Sequence, residues 1–334
     1  MVTIKDIALA LGISHSTVSR ALNNSDRVQS KTREMILAKA KEMNYIPNAA
    51  ARDMKKSQLP IIGVIALNMG RSSYGSEMLG SISQKAKKKG YQLIFIHIED
   101  TSPSETDFNL LKEKRISGLL YISLDPCSID YHPIFDEVKT VFVNCNCGDI
   151  NRYTAVWANN EKGLYDIANI VFNQPSFKRS MFINFDEHYI AAEKRKQGYM
   201  KALNDNNITF FDTDYITVPI RYDFDFSTLD CDIHRAVERG VNVIFCGRDE
   251  IALEVYFTLH RLGFTIPDDV SVIGFDNQSI ISQRVYPKLT TVELPYEKMA
   301  LTGFDQVISD EKLPVKDIII NCDPIIRESL RKDI

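Results

Sequence analysis

VTIKDIALALGISHSTVSRALNN, residues 2–24, decides how this chain is read. Its apolar residues recur at helical spacing in two short runs broken by Gly12. Neither run holds a metal-ligand set or a nucleophile beside a base. Thr3 is placed to cap a first helix over 4–11, and Gly12 to stop it. Ser14 caps a second helix over roughly 16–23. Ala8, Leu11, Ile13, Val18 and Leu22 fall on the inner side of the pair and supply a small core. His15, Ser16, Ser19 and Arg20 are left projecting outward. Ser30 caps a third helix, in which Met35, Ile36, Ala38 and Ala40 keep helical spacing. It ends at Tyr45–Ile46–Pro47, because Pro47 lacks a donor and biases Ile46 away from the helical region. Helix, glycine turn, helix is the outline of a helix-turn-helix, whose second helix offers short polar side chains to base edges.

The charge distribution agrees. Across 334 residues the net charge is −4, yet residues 1–58 carry ten Lys/Arg against five acids, a net of +5, and the remainder a net of −9. A small basic head on an acidic body suits a polyanion-binding head. The stretch NAAARDMKKSQLP (48–60) is alanine-rich and basic but too short for a stable helix alone, so it is either a linker or a helix formed against a partner.

From Ile61 the rhythm changes. Strands are expected at 61–67, 91–98, 118–123, 140–145, 155–159, 179–185, 214–218, 242–247 and 270–276. Helices are expected at 75–89, 105–115, 161–173, 190–206, 227–239 and 249–262. Continuous apolar strands between amphipathic helices imply parallel sheets covered on both faces, and so many strands imply two α/β lobes. With 44% apolar and 25% charged residues the chain reads as ordinary globular protein, and no apolar run reaches the ~18 residues of a membrane span. MVTIKDIALALG does not read as a signal peptide, so a cytoplasmic protein with no membrane role is expected. Six scattered cysteines (Cys127, Cys145, Cys147, Cys231, Cys246, Cys322) suit reduced thiols better than a metal site. There is no P-loop, no G-x-G-x-x-G after the first strand, no G-x-S-x-G and no H-E-x-x-H. No enzymatic activity, catalytic residue, metal or cofactor is therefore expected. An α/β enzyme or carbohydrate-binding protein with a helical assembly head is the alternative class.

VTIKDIALALGISHSTVSRALNN followed by TREMILAKAKEMNYIPNAAAR resembles the head of the LacI/GalR family of bacterial transcription regulators. GFTIPDDVSVIGFDN (263–277), YPKLTTVELP (286–295) and PIIRESL (324–330) resemble that family's C-terminal landmarks, so the likeness covers essentially the whole chain. It implies an all-α helix-turn-helix head at 1–46, a hinge helix and linker at 47–60, and a two-lobed periplasmic-binding-protein-like body with parallel sheets at 61–334. It implies that His15, Ser16 and Arg20 read bases, and that Thr3, Ser14, Thr17, Ser19, Asn23 and Thr32 bind phosphates. Tyr45 and Asn48 would fix the approach of the hinge. Ala51 lies in the hinge helix, and Met54 stands where a leucine usually wedges the minor groove, a task methionine can also perform. Partners would be near-palindromic double-stranded operator DNA, a second copy of the chain, and a small sugar or sugar-phosphate effector.

In the cleft the resemblance places Arg195 and Asp276 as a clamp on ligand hydroxyls, Ser72 and Tyr74 after the first strand, and Phe226 as a stacking ring. Asn144 stands where an aspartate is frequent. Arg248 departs from the family's small polar residue: it would suit an anionic or phosphorylated ligand, or pair with Asp276 or Asp249 inside the cleft. A global regulator answering to a phosphorylated carrier protein is the alternative within regulation, but YEKMALTGFDQVI (296–308) offers only Lys298 as a basic residue. Fluorescence anisotropy checks the head. DNA affinity falls steeply with salt, as counterion release requires, and deleting residues 1–58 abolishes binding. Undiminished binding by the truncated chain would sink the assignment.

Overall fold

The structure is a computed structural model that describes residues 2–22, 28–43, 45, 59–71, 73–99, 102–148, 152–219, 228–310 and 315–332. It divides into two compact units, Met1–Leu59 and Pro60–Ile334.

In the first unit, α1 (Ile4–Leu11) opens on a reciprocal cap. The Asp6 amide donates to Thr3 Oγ1 at 3.4 Å, and the Thr3 amide donates back to Asp6 Oδ2 at 2.7 Å. Gly12 closes the helix at φ 63°, a conformation that costs other residues strain. The turn is locked by the Ile13 amide on the Ala8 carbonyl. Ser14 caps α2 (His15–Leu22) through the Thr17 amide at 3.1 Å. A third helix, α3 (Ser30–Glu42), packs across both. Here the cap expectation is corrected: Gln29 holds the capping position without a side-chain bond, and Ser30 is already helical. The core is Ile7, Ala8, Val18, Ala21, Val28, Ile36 and Ala40, with Leu11, Ile13 and Leu22 half-buried around it. Of the four α3 residues at helical spacing, Ile36 and Ala40 are buried, while Met35 and Ala38 are exposed.

The second unit contains two parallel sheets. The first runs β11 (Asp317–Asn321), β5 (Thr154–Asn159), β4 (Lys139–Cys147), β3 (Gly118–Ile129), β1 (Ile61–Leu67), β2 (Gln92–Ile98). Period-two alternation sorts its side chains. Ile62, Val64 and Ala66 face α4 (Ser73–Lys89) and α12 (Tyr296–Ile308), while Ile65, Leu119 and Phe142 face α5 (Glu105–Glu113) and α6 (Ile134–Glu137). The second sheet runs β7 (Tyr215–Val218), β6 (Ser180–Phe185), β8 (Val243–Cys246), β9 (Ser271–Ile273). Phe182 and Phe245 face α7 (Asn160–Phe172) and α8 (Ile190–Asp205). Ile183 and Ile244 face α9 (Thr228–Glu238) and α10 (Asp249–Leu262). A short α11 (Ser279–Ser282) and a two-stranded ladder of β10 (Thr291–Val292) with β12 (Pro324–Ile325) complete the described elements. The chain passes between the lobes three times, after β5, after β10 and after β11.

Every strand and helix expected in the body appears, with ends moved by a few residues except for β3. That strand runs on to Ile129 through a register shift between Ile122 and Cys127. The helix Tyr296–Ile308 and the edge strand Asp317–Asn321 were not among the expected elements. One contact sets how closely two helices approach. A Cβ on Gly198 in α8 would lie 2.1 Å from the Glu161 carbonyl oxygen of α7. Gly198→Ala must therefore push these helices apart, and the loss is about 1–3 kcal/mol, the usual cost of overpacking. Urea denaturation measures it.

Candidate functional site

The outer face of α2 is built by helical spacing. With Val18 and Ala21 buried, His15, Ser16 and Arg20 are exposed, and Thr17 and Ser19 half-buried. Ser14 Oγ bonds both Ser16 Oγ and Thr17 Oγ1 at 2.8 Å, which gathers three hydroxyls at the helix N-terminus. The Thr3 hydroxyl donates to Asp6 Oδ2 at 2.8 Å, and Thr3's hydrogen bonds hold the Asp6 carboxyl below its ordinary range. Thr32 is half-buried on α3, and Tyr45 packs against the head core. Asn23, Asn48, Ala51, Met54 and the 47–58 hinge lie outside the described residues.

The second cluster forms at the seam between the lobes. Arg195 on α8 is 2% exposed. Its Nε donates to Asn160 Oδ1 at 3.0 Å, its Nη1 to the Gly247 carbonyl, and its Nη2 to Asp276 Oδ1 at 3.0 Å. The guanidinium carbon lies 3.8 Å from the Phe275 ring centroid. Asp276 follows β9 at φ 112°, held there by its amide on the Val292 carbonyl at 2.8 Å. Burial pushes its carboxyl up to about 6, against the opposing pull of Arg195 and Arg248. Tyr74 reaches over from α4, and its hydroxyl donates to the Asp276 carbonyl at 2.8 Å. Its ring lies 4.8 Å from that of Tyr296. Asp249, at the start of α10, accepts from Thr291 Oγ1 and the Gln278 amide, both at 2.7 Å, and burial drives its carboxyl well up.

Two assigned residues sit differently from expectation. Asn144 (φ 59°) donates Nδ2 to the Ser123 and Leu124 carbonyls, at 3.3 and 2.7 Å. Its amide thus braces the irregular part of β3. Arg248 pairs with neither Asp276 nor Asp249. Its Nη2 meets Asp125 Oδ1 at 2.8 Å, a carboxylate carried on that braced segment of the other lobe. Ser72 and Phe226 lie outside the described residues. Asn160, Asp125, Asp249 and Tyr296 were not picked out in sequence as site residues. Only Asp249, as a possible Arg248 partner inside GRDEIAL, carried a visible signal.

A helix-turn-helix head joined to two parallel-sheet lobes, with a charged clamp at their seam, defines a class of DNA-binding proteins that carry a receptor-like body. Residues 3–48 match the description "Bacterial regulatory proteins, lacI family", and residues 165–330 match "Periplasmic binding protein-like domain". The probable HTH-type transcriptional repressor ExuR of Bacillus subtilis (strain 168) is 29% identical over 99% of both chains. The HTH-type transcriptional repressor PurR of Vibrio vulnificus (strain CMCP6) is 26% identical over 99% of both. In fold, the lac repressor dimer bound to operator and the anti-inducer ONPF aligns with a TM-score of 0.74 at 22% identity over 99% of both chains. The transcriptional regulator CelR in complex with cellobiose aligns at 0.63 and 22%, over 98% of this chain and 100% of that one. The chain belongs to the LacI/GalR family: it is a DNA-binding transcriptional repressor and not an enzyme. Among the described residues no helix is long and apolar enough to cross a membrane.

Asp276 gives the site a pH signature. Its folded-state pKa lies above the ordinary 3.8, so the folded chain holds the proton more tightly than the unfolded one. The stability this group contributes is complete below about 4 and is lost as pH rises to about 6. Asp276→Asn removes that loss, so the variant's stability relative to the wild type rises across this window. Urea denaturation of both proteins along a pH series checks it, and parallel curves would contradict it.

Proposed function

We propose that the chain acts as a homodimer that represses transcription from a near-palindromic operator, and that a small sugar or sugar phosphate bound between the lobes sets its operator affinity. The observation that carries the reading is the Arg195 clamp. A guanidinium held by three oxygens and an aromatic face is already fixed in direction, so it can meet ligand hydroxyls without ordering cost. Support for a sugar also comes from the cellobiose-bound relative in fold.

For the head, the exposed side chains of His15, Ser16 and Arg20 support base reading, with Arg20 able to place two bonds on guanine. One such head covers a half-site, and a two-fold pair of heads covers a palindrome. Exposed apolar side chains on the C-terminal lobe support self-association: Phe257 is 50% exposed, Ile280 60% and Tyr286 92%. Effector and operator are then linked reciprocally through the lobes.

Selection of duplexes from a random pool supplies an operator for the test. Arg20→Ala weakens operator binding by about 1–3 kcal/mol and random DNA far less; equal losses would remove its base-reading role. For the cleft, a sugar that raises the melting temperature of the wild type fails to do so for Arg195→Ala. No response to any sugar would sink the sensor reading.

A further inference from the structure

Arg248 is a cleft side chain whose hydrogen-bonding capacity is only partly used. Its guanidinium stands 5.0 Å from the Phe185 ring centroid, donates Nη2 to Asp125 Oδ1, and leaves Nε buried without a partner. Arg195, by contrast, has a partner on each of its three nitrogens. The Nε–Nη2 edge of a guanidinium matches two oxygens of one carboxylate or phosphate, and such paired bonds are among the strongest available to a side chain. Asp125 fills one prong of that fork, and it does so from the opposite lobe.

Three acids act on Arg248, namely Asp125, Asp276 and Glu250, and only Asp125 bonds it. Asp276 is matched by Arg195, and Asp249 is enclosed by Thr291 and Gln278, with burial favouring its neutral form. Glu250, whose charge acts on both Arg248 and Asp276, holds Gln278 Nε2 with Oε1 and leaves Oε2 buried and unsatisfied. That oxygen asks for a donor such as a hydroxyl. Arg248 Nε asks for an acceptor. A hydroxylated acid supplies both.

We propose that Arg248 receives the carboxylate or phosphate of an anionic sugar, and that Asp125 is an internal substitute for that anion which the ligand displaces. The proposal rests on the reading of the cleft as a sugar site and adds the charge of the ligand. It gives Asp125 a defined role, that of a tethered competitor.

The test is calorimetric titration of the full chain with matched series that differ only at C6: glucose, glucuronate and glucose 6-phosphate, and the corresponding galactose set. The expected result is that a carboxylate or a phosphate member binds about tenfold or more tightly than its neutral parent, and which of them does so separates the two sources of negative charge. Arg248→Gln erases that advantage. Asp125→Asn, which keeps the shape and removes the competing charge, strengthens anionic binding. Melting each variant without ligand shows whether it folds. Neutral sugars binding as tightly as their acids and phosphates, or discrimination that survives Arg248→Gln in a folded variant, overturns the proposal and leaves the sugar-sensor reading standing. Silence from every sugar overturns both.

Discussion

A buried positive charge organises the body of this protein. Arg195 has lost nearly all contact with water, and its guanidinium is compensated by oxygens from three separate segments: the start of α7, the turn after β8 and the turn after β9. A charge in that position is tolerated only while every partner stays in place, because stranding it costs far more than the pair itself gains. The three segments are therefore fixed relative to one another. The turns after β8 and β9 also lie at the carboxyl ends of parallel strands, where open α/β sheets leave room for ligands. The left-handed backbone of Asp276 is part of the same arrangement: Val292 and Tyr74 both bond its main chain, and they hold its carboxylate toward Arg195.

Much of this was legible in the sequence, for identifiable reasons. Unbroken apolar runs such as IIGVIAL and TVFVNC announce buried parallel strands, and Thr3, Gly12 and Ser14 punctuate the head as caps and a stop. The helix Tyr296–Ile308 carries its signal too, with Met299, Ala300, Gly303, Phe304 and Val307 on one buried face. Asp317–Asn321 is harder. It is a five-residue edge strand in which three isoleucines stand between Asp317 and Asn321, too short a run to announce a strand, and only Ile320 is buried while Ile319 is exposed.

Within the site, what escaped was non-local. Arg248 invites pairing with Asp249 beside it or Asp276 in the neighbouring motif. Its actual partner is 123 positions away in the chain. That pairing depends on a register shift in β3 and on Asn144 turning its amide toward two carbonyls of the shifted segment. No spacing rule contains such information, since a bulge changes which side chains face the cleft without changing the pattern around it. The same limit applies to Asn160, whose value lies in one oxygen aimed at Arg195.

The three crossings between the lobes have a kinetic meaning. Because both lobes hang on the same short connections, Asp125 is tethered close to Arg248. Linkage of that kind gives a group an effective concentration on the order of millimolar. A carboxylate so tethered competes with any anion for its arginine. Under the role proposed for Asp125, dilute anions do not displace it, and only a molecule that adds other contacts to its charge holds the site.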